Sequence, residues 1–210
     1  MPLMLAIFPV LVFIPKYYSA DIGISLAVVA NVFLLSRILD VVTDPVIGIL
    51  SDKTRSRFGR RKPWIACAAP LLMLSFYRLF VPPEDAGGLY LFTWMMLMWL
   101  GLTMILIPYY AWGSELSPDY NERSRITGWR SMMGVVGNLL AQLIPVIAAL
   151  AFAYSGTQEV LVVVGVTMLV LMPLCVSLTL WNVPEQPSTH TSVTPFFAGL
   201  KLMMANGPFK

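Results

Sequence analysis

Charge is what this sequence has least of. Of its 210 residues, 14 are Lys or Arg and 11 are Asp or Glu, a charged share of 12%, about half that of a soluble domain. Histidine occurs once, at His190, and cysteine twice, at Cys67 and Cys175. One histidine and two separated cysteines cannot assemble a zinc site, and no nucleophile–histidine pair lies within an apolar run. The cysteines sit inside apolar stretches and read as small packing residues rather than as a disulfide. His190 lies in a Pro/Ser/Thr-rich stretch and reads as a surface residue. Met1 runs straight into apolar sequence with neither a basic region nor a small-residue cleavage site, so a signal peptide is not expected. An enzymatic role and a cofactor are not expected either.

What is present is apolar. Hydrophobic residues make up 58% and the mean hydropathy is +0.75. No globule of this size has a core able to hide so much apolar surface. A soluble enzyme, a nucleic-acid binder and a disordered tail are therefore excluded, and the expected solvent is a lipid bilayer.

A helix crosses the hydrocarbon with about 20 apolar residues. Six segments qualify or nearly so, at roughly 1–18, 24–50, 63–82, 88–113, 127–154 and 159–181. Polar punctuation separates them: Asp21 to Gly23, the basic run Ser51 to Lys62, Pro82 to Asp85, the polar run Glu115 to Arg125, and Ser155-Gly156. The expected fold is an all-α membrane protein with six transmembrane helices. Eleven of the 14 basic residues fall on one side: Lys53, Arg55, Arg57, Arg60, Arg61 and Lys62 after span two, Arg123, Arg125 and Arg130 in the connector after span four and its exit, and Lys201 and Lys210. By the positive-inside rule that side, with both termini, is expected in the cytoplasm. Both ends look cut. Span one starts without an anchor, and residues 182–210 read as a cytoplasmic interdomain loop followed by an amphipathic segment from Thr194 that stops at Lys210.

Span two carries charges that the membrane does not tolerate for nothing. Arg37, Asp40 and Asp44 lie at i, i+3 and i+4 spacings, so one helical face displays a cation and two carboxylates, continued by Gly48. Each charge costs about 2.5–3.5 kcal/mol at the bilayer centre. Pairing of Arg37 with one aspartate as neutral helix glue is one account of the cluster. It leaves one carboxylate over, which must hold a proton or bind a small cation. Pro45 has no amide donor, leaving the Val41 carbonyl without its helical partner. Two carboxylates, the Thr43 hydroxyl and that carbonyl form an all-oxygen donor set suited to a hard cation such as Na+.

On the cytoplasmic side, Asp52 ends the helix and Arg57, Gly59, Arg60 and Arg61 follow. Anchoring explains part of the basic run. Asp52 with Arg60 and Arg61 across a glycine turn also suits a carboxylate–arginine latch that opens and closes with conformation. Tyr17, Tyr18, Tyr109, Tyr110 and Trp112 are able to stack on a ring-shaped solute, though aromatics near span ends commonly form the interface belt. Gly134, Gly137 and Asn138 suit close helix packing.

Gly48 to Asp52 followed by Arg57-x-Gly59-Arg60-Arg61 resembles the loop motif between helices two and three of the major facilitator superfamily, lengthened between the aspartate and the glycine. With Arg37-x-x-Asp40-x-x-x-Asp44-Pro45 before it and Lys62-Pro63-Trp64 after it, the longer form resembles the glycoside–pentoside–hexuronide cation symporters, the group of the melibiose carriers. The block from Pro108-Tyr109 through Glu115, Asp119 and Glu122 to Arg125 is similar to their fourth-helix exit. The resemblance spans nearly the whole chain and matches the N-terminal six-helix half of such a carrier.

It implies that Asp40 and Asp44 hold a coupling Na+, Li+ or H+, helped by a Thr103 hydroxyl. It also implies that Arg130 stands near the sugar, with Tyr110 where those carriers have a tryptophan, and that Glu115 to Arg125 join a cytoplasmic charge network. The acids that grip a galactoside in those carriers match Met4 and Leu106 here, so a melibiose carrier is not implied. The expected function is a secondary transporter of a bacterial-type inner membrane, driving uptake of a sugar or glycoside with a monovalent cation by alternating access. Its expected partners are the bilayer and a second six-helix half, from the same gene or a second copy, with no nucleic acid. Two alternatives stand beside it: a carrier of lysolipid or another amphipathic solute on the same fold, and a non-transporting sensor or assembly module.

Overall fold

The computed structural model describes residues 2–152 and 156–184, and among them the regular structure is helical throughout. The expected loop and amphipathic segment beyond Pro184 lie outside the described residues. Six helices follow one another: α1 (Pro2–Lys16), α2 (Leu26–Lys53), α3 (Lys62–Phe80), α4 (Gly88–Glu115), α5 (Tyr120–Phe152) and α6 (Thr157–Asn182). Each is long and apolar enough to cross a membrane, α1 together with the π-helical turn Tyr17–Asp21 that continues it.

Local chemistry sets the ends. The Ser25 side chain caps α2 by accepting from the Val28 amide at 3.4 Å. Pro63 stands in the first turn of α3, where its missing N–H costs nothing. The helix carrying the fifth span begins at Tyr120, ahead of its apolar stretch. Asp119 opens it, its carboxylate accepting from the Asn121 amide at 2.6 Å and its carbonyl from the Arg123 amide at 3.0 Å. Every helix holds an interior proline: Pro9 and Pro15, Pro45, Pro70, Pro108, Pro145 and Pro173. Such interruptions are costly in water and tolerated between packed transmembrane helices.

The helices form an arc in which α2 packs on α4, α4 on α3, α3 on α6, α6 on α1, and α1 on α5. The pairings α2 with α4 and α5 with α1 correspond if the chain is read as two three-helix repeats, the arrangement of inverted-repeat carriers. Small residues allow close approaches: a Cβ on Gly101 would lie 3.3 Å from the Leu72 side chain, and one on Gly165 3.0 Å from the Phe80 ring. The buried residues cluster on α3, α4 and the inner face of α1, with Leu72, Phe80, Leu91, Met95 and Met98 nearly sealed. Tyr18 ties the end of α1 to α3 by donating its hydroxyl to the Leu79 carbonyl at 3.1 Å. At the two ends of the arc, α2 and α5 leave apolar faces uncovered, with Val41 73% and Leu150 82% exposed.

Candidate functional site

Two places collect the chemistry. The first is the seam between α2 and α4. The Thr103 hydroxyl, on α4, donates to the Asp44 carboxylate at 2.9 Å. One helical turn earlier on α2, Arg37 reaches Asp40 at 3.3 Å. The Arg37 guanidinium also lies over the indole of Trp99, 3.5 Å from the ring centre. Thr43 donates its hydroxyl to the Asp40 carbonyl of its own helix at 3.4 Å, which fixes the side chain and leaves its oxygen lone pairs available. Asp40 is half-buried and Asp44 exposed. The seam thus offers two carboxylates and two hydroxyls with one arginine as internal counter-charge. With both carboxylates ionised one negative charge is left, which a single monovalent cation or a proton would balance.

The second place is a cavity of about 870 Å³ between α1, α4, α5 and α6, where α4 and α5 scarcely touch. Met4 and Leu106, at the positions the resemblance assigns to sugar-gripping acids, both line it together with Tyr109, Tyr110 and Arg130. The Arg130 guanidinium sits over the Tyr110 ring at 4.6 Å. Gly113 makes room for it, since a Cβ there would stand 3.2 Å from an Arg130 nitrogen. Asn138, Ser131 and Thr179 add polar atoms to a mostly apolar wall. Sequence reasoning gave Asn138 to helix packing. Its i+8 relation to Arg130, through Gly134, is the signal that places it on the same face. Gly134 serves both purposes, as its missing Cβ would lie 3.8 Å from Met4.

Trp112 stands apart from that cavity. It is 2% exposed, donates its indole N–H to the Pro184 carbonyl at 3.2 Å and has the Lys62 ammonium 5.5 Å from its ring centre. It borders a smaller cavity of about 610 Å³ with Glu122, Arg125 and Trp129. Tyr109 and Arg130 lie on the wall that the two cavities share.

The basic loop gathers at the ends of α2 and α4. Arg61, only 4% exposed, pairs with Asp52 at 2.8 Å and with Glu115 at 2.7 Å, and Arg60 pairs with Glu115 at 2.8 Å. Burial opposes the charge on Arg61, but the hydrogen bond and field of Glu115, and then those of Asp52, override it and hold its pKa above the ordinary arginine value. Gly59 supplies the turn at φ +106°, a conformation that side-chain-bearing residues rarely adopt. Arg57 is exposed and lies over Phe58 at 4.9 Å.

Residues 1–210 match the family described as MFS/sugar transport protein. The chain belongs to this family. With six helices able to span a bilayer, this member of the sugar-transport family is an integral, multi-pass membrane protein. It is 28% identical to the inner membrane symporter YicJ of Escherichia coli, over 88% of this chain and 41% of that protein. It is 27% identical to the isoprimeverose transporter of Lactiplantibacillus pentosus, over 92% and 42%. It is 24% identical to the mouse sodium-dependent lysophosphatidylcholine symporter 1, over 94% and 44%. The chain spans less than half the length of these relatives.

Proposed function

We propose that these six helices form one half of a cation-coupled sugar or glycoside symporter. The half binds a monovalent cation between Asp40 and Asp44 and works by alternating access against a second six-helix half. The observation that carries this reading is the Thr103–Asp44 hydrogen bond at 2.9 Å. It draws a second helix into a carboxylate-rich seam where apolar packing alone would do. Neutralising the leftover charge lowers the cost of enclosing the seam, and that is how an ion gradient is coupled to solute movement. In the same reading Arg130, Tyr110 and Tyr109 face the solute, Trp112 contributes from the adjoining wall, and Asp52 with Arg57, Gly59, Arg60 and Arg61 forms a cytoplasmic latch. The coupling ion is Na+, Li+ or H+, the membrane is a bacterial-type inner membrane, and the basic loop faces the cytoplasm.

The test is uptake by cells expressing the full-length gene product with Asp40→Asn or Asp44→Asn. Cation-stimulated uptake is expected to vanish while the protein is still made and inserted; retained stimulation would overturn the assignment.

One observation favours a second reading. The cavity wall around Arg130 is mostly apolar, with Met4, Leu106, Ile7 and Phe8 facing in, which suits an amphipathic solute such as a lysolipid. Competition by a lysophospholipid, with none by glycosides, would select that cargo.

A further inference from the structure

Trp99 is 6% exposed, and its indole N–H has no hydrogen-bond partner among the described residues. Burying a donor without a partner is costly, and a phenylalanine would bury an aromatic ring without that penalty. What tryptophan adds is the most electron-rich face of any side chain, and a cation sits on it: the Arg37 guanidinium lies 3.5 Å from the ring centre. Arg37 meanwhile makes a single long contact with Asp40, at 3.3 Å. The Arg61 pairs of the loop, by contrast, close to 2.7 and 2.8 Å. A guanidinium beside a carboxylate normally forms the short, forked pair. Here it is drawn onto the ring instead.

Building on the cation-binding reading, we infer that Trp99 is a positioning residue, a platform that holds Arg37 off Asp40 so that the carboxylate stays open to the coupling cation. Arg37 still supplies the counter-charge that limits the cluster to one ion. Without the platform it would close on Asp40 and compete with the cation as a tethered rival. The indole thereby sets the apparent cation affinity without touching the ion.

The experiment measures cation-dependent stabilisation of the purified full-length gene product against heat. Na+, Li+ and acid are each titrated, and the concentration giving half the effect is recorded. Trp99→Leu is expected to raise that concentration about tenfold and Trp99→Phe about threefold, following the order of cation–π strength. In an Arg37→Gln background both effects are expected to disappear, since no rival is left to release. Equal shifts with and without Arg37 would make Trp99 a packing residue and overturn the inference. Should Trp99→Leu not fold, the comparison of Trp99→Phe in the two backgrounds decides alone. A protein stabilised by a cation, but indifferent to Trp99→Phe in both backgrounds, overturns the platform and leaves the cation reading standing. A protein stabilised by none of the three ions overturns both.

Discussion

The α2–α4 seam and the cavity between α1, α4, α5 and α6 lie in one apolar bundle and are built on different principles. In the seam, Thr103 of α4 donates to Asp44 of α2 at 2.9 Å, and Arg37 reaches Asp40 along α2 itself at 3.3 Å. In the cavity one cation, Arg130, leans on an aromatic ring and faces mostly apolar walls. On the proposed reading, a seam of oxygen donors defines its ligand closely, because a small ion demands a coordination shell. An apolar cavity with one charge defines a class of solute and leaves the member open. The two regions therefore differ in how much of their chemistry the six helices complete.

That contrast is open to attack by substitutions whose effects are confined to one region. The largest expected effect is the loss of cation stimulation in Asp40→Asn or Asp44→Asn. Thr103→Val comes next. It removes a hydrogen bond to a charged group, worth about 1.5–3 kcal/mol, and should raise the half-saturating cation concentration about tenfold while leaving the solute curve in place. A shift in both curves would merge the two regions into one site. At the loop, Glu115→Gln removes a carboxylate shared by Arg60 and Arg61. Its partly exposed position limits the expected loss to about 1 kcal/mol, read as a lower thermal-unfolding midpoint with the cation midpoint unchanged. The smallest effect is expected from Tyr110→Leu, which strips the ring beneath Arg130. About 0.5–1 kcal/mol of cation–π contact translates to about a twofold to fivefold rise in the solute concentration for half-maximal uptake, at constant cation dependence.

Much of the architecture was legible in the sequence because a bilayer leaves few choices. Long apolar runs must be helices there, and the polar breaks fall between them. The charged face of α2 was legible for the same reason, as i, i+3 and i+4 spacings fix a face before any partner is known. The partners were not. Thr103 was singled out only through the family resemblance, and Trp99 not at all, since a tryptophan in an apolar helix gives no sign of what lies on its ring. In the loop, the sequence matched Asp52 with Arg60 and Arg61 on proximity along the chain. The second carboxylate of that cluster, Glu115, comes from the far end of α4, and only the packing of α3 on α4 brings it there. Trp112 carries a contact its aromatic character did not signal: its N–H donates to the Pro184 carbonyl at the exit of α6.

Along α4, Trp99 and Thr103 contact the seam, whereas Trp112 and Glu115 grip the exit of α6 and the basic loop, and Pro108 stands between the two pairs. A helix transmits displacement along its axis as a stiff rod, except where proline deletes a rung. The seam and the loop are thus joined by a shaft with one compliant joint. The play in that joint sets how far one end turns before the other must follow.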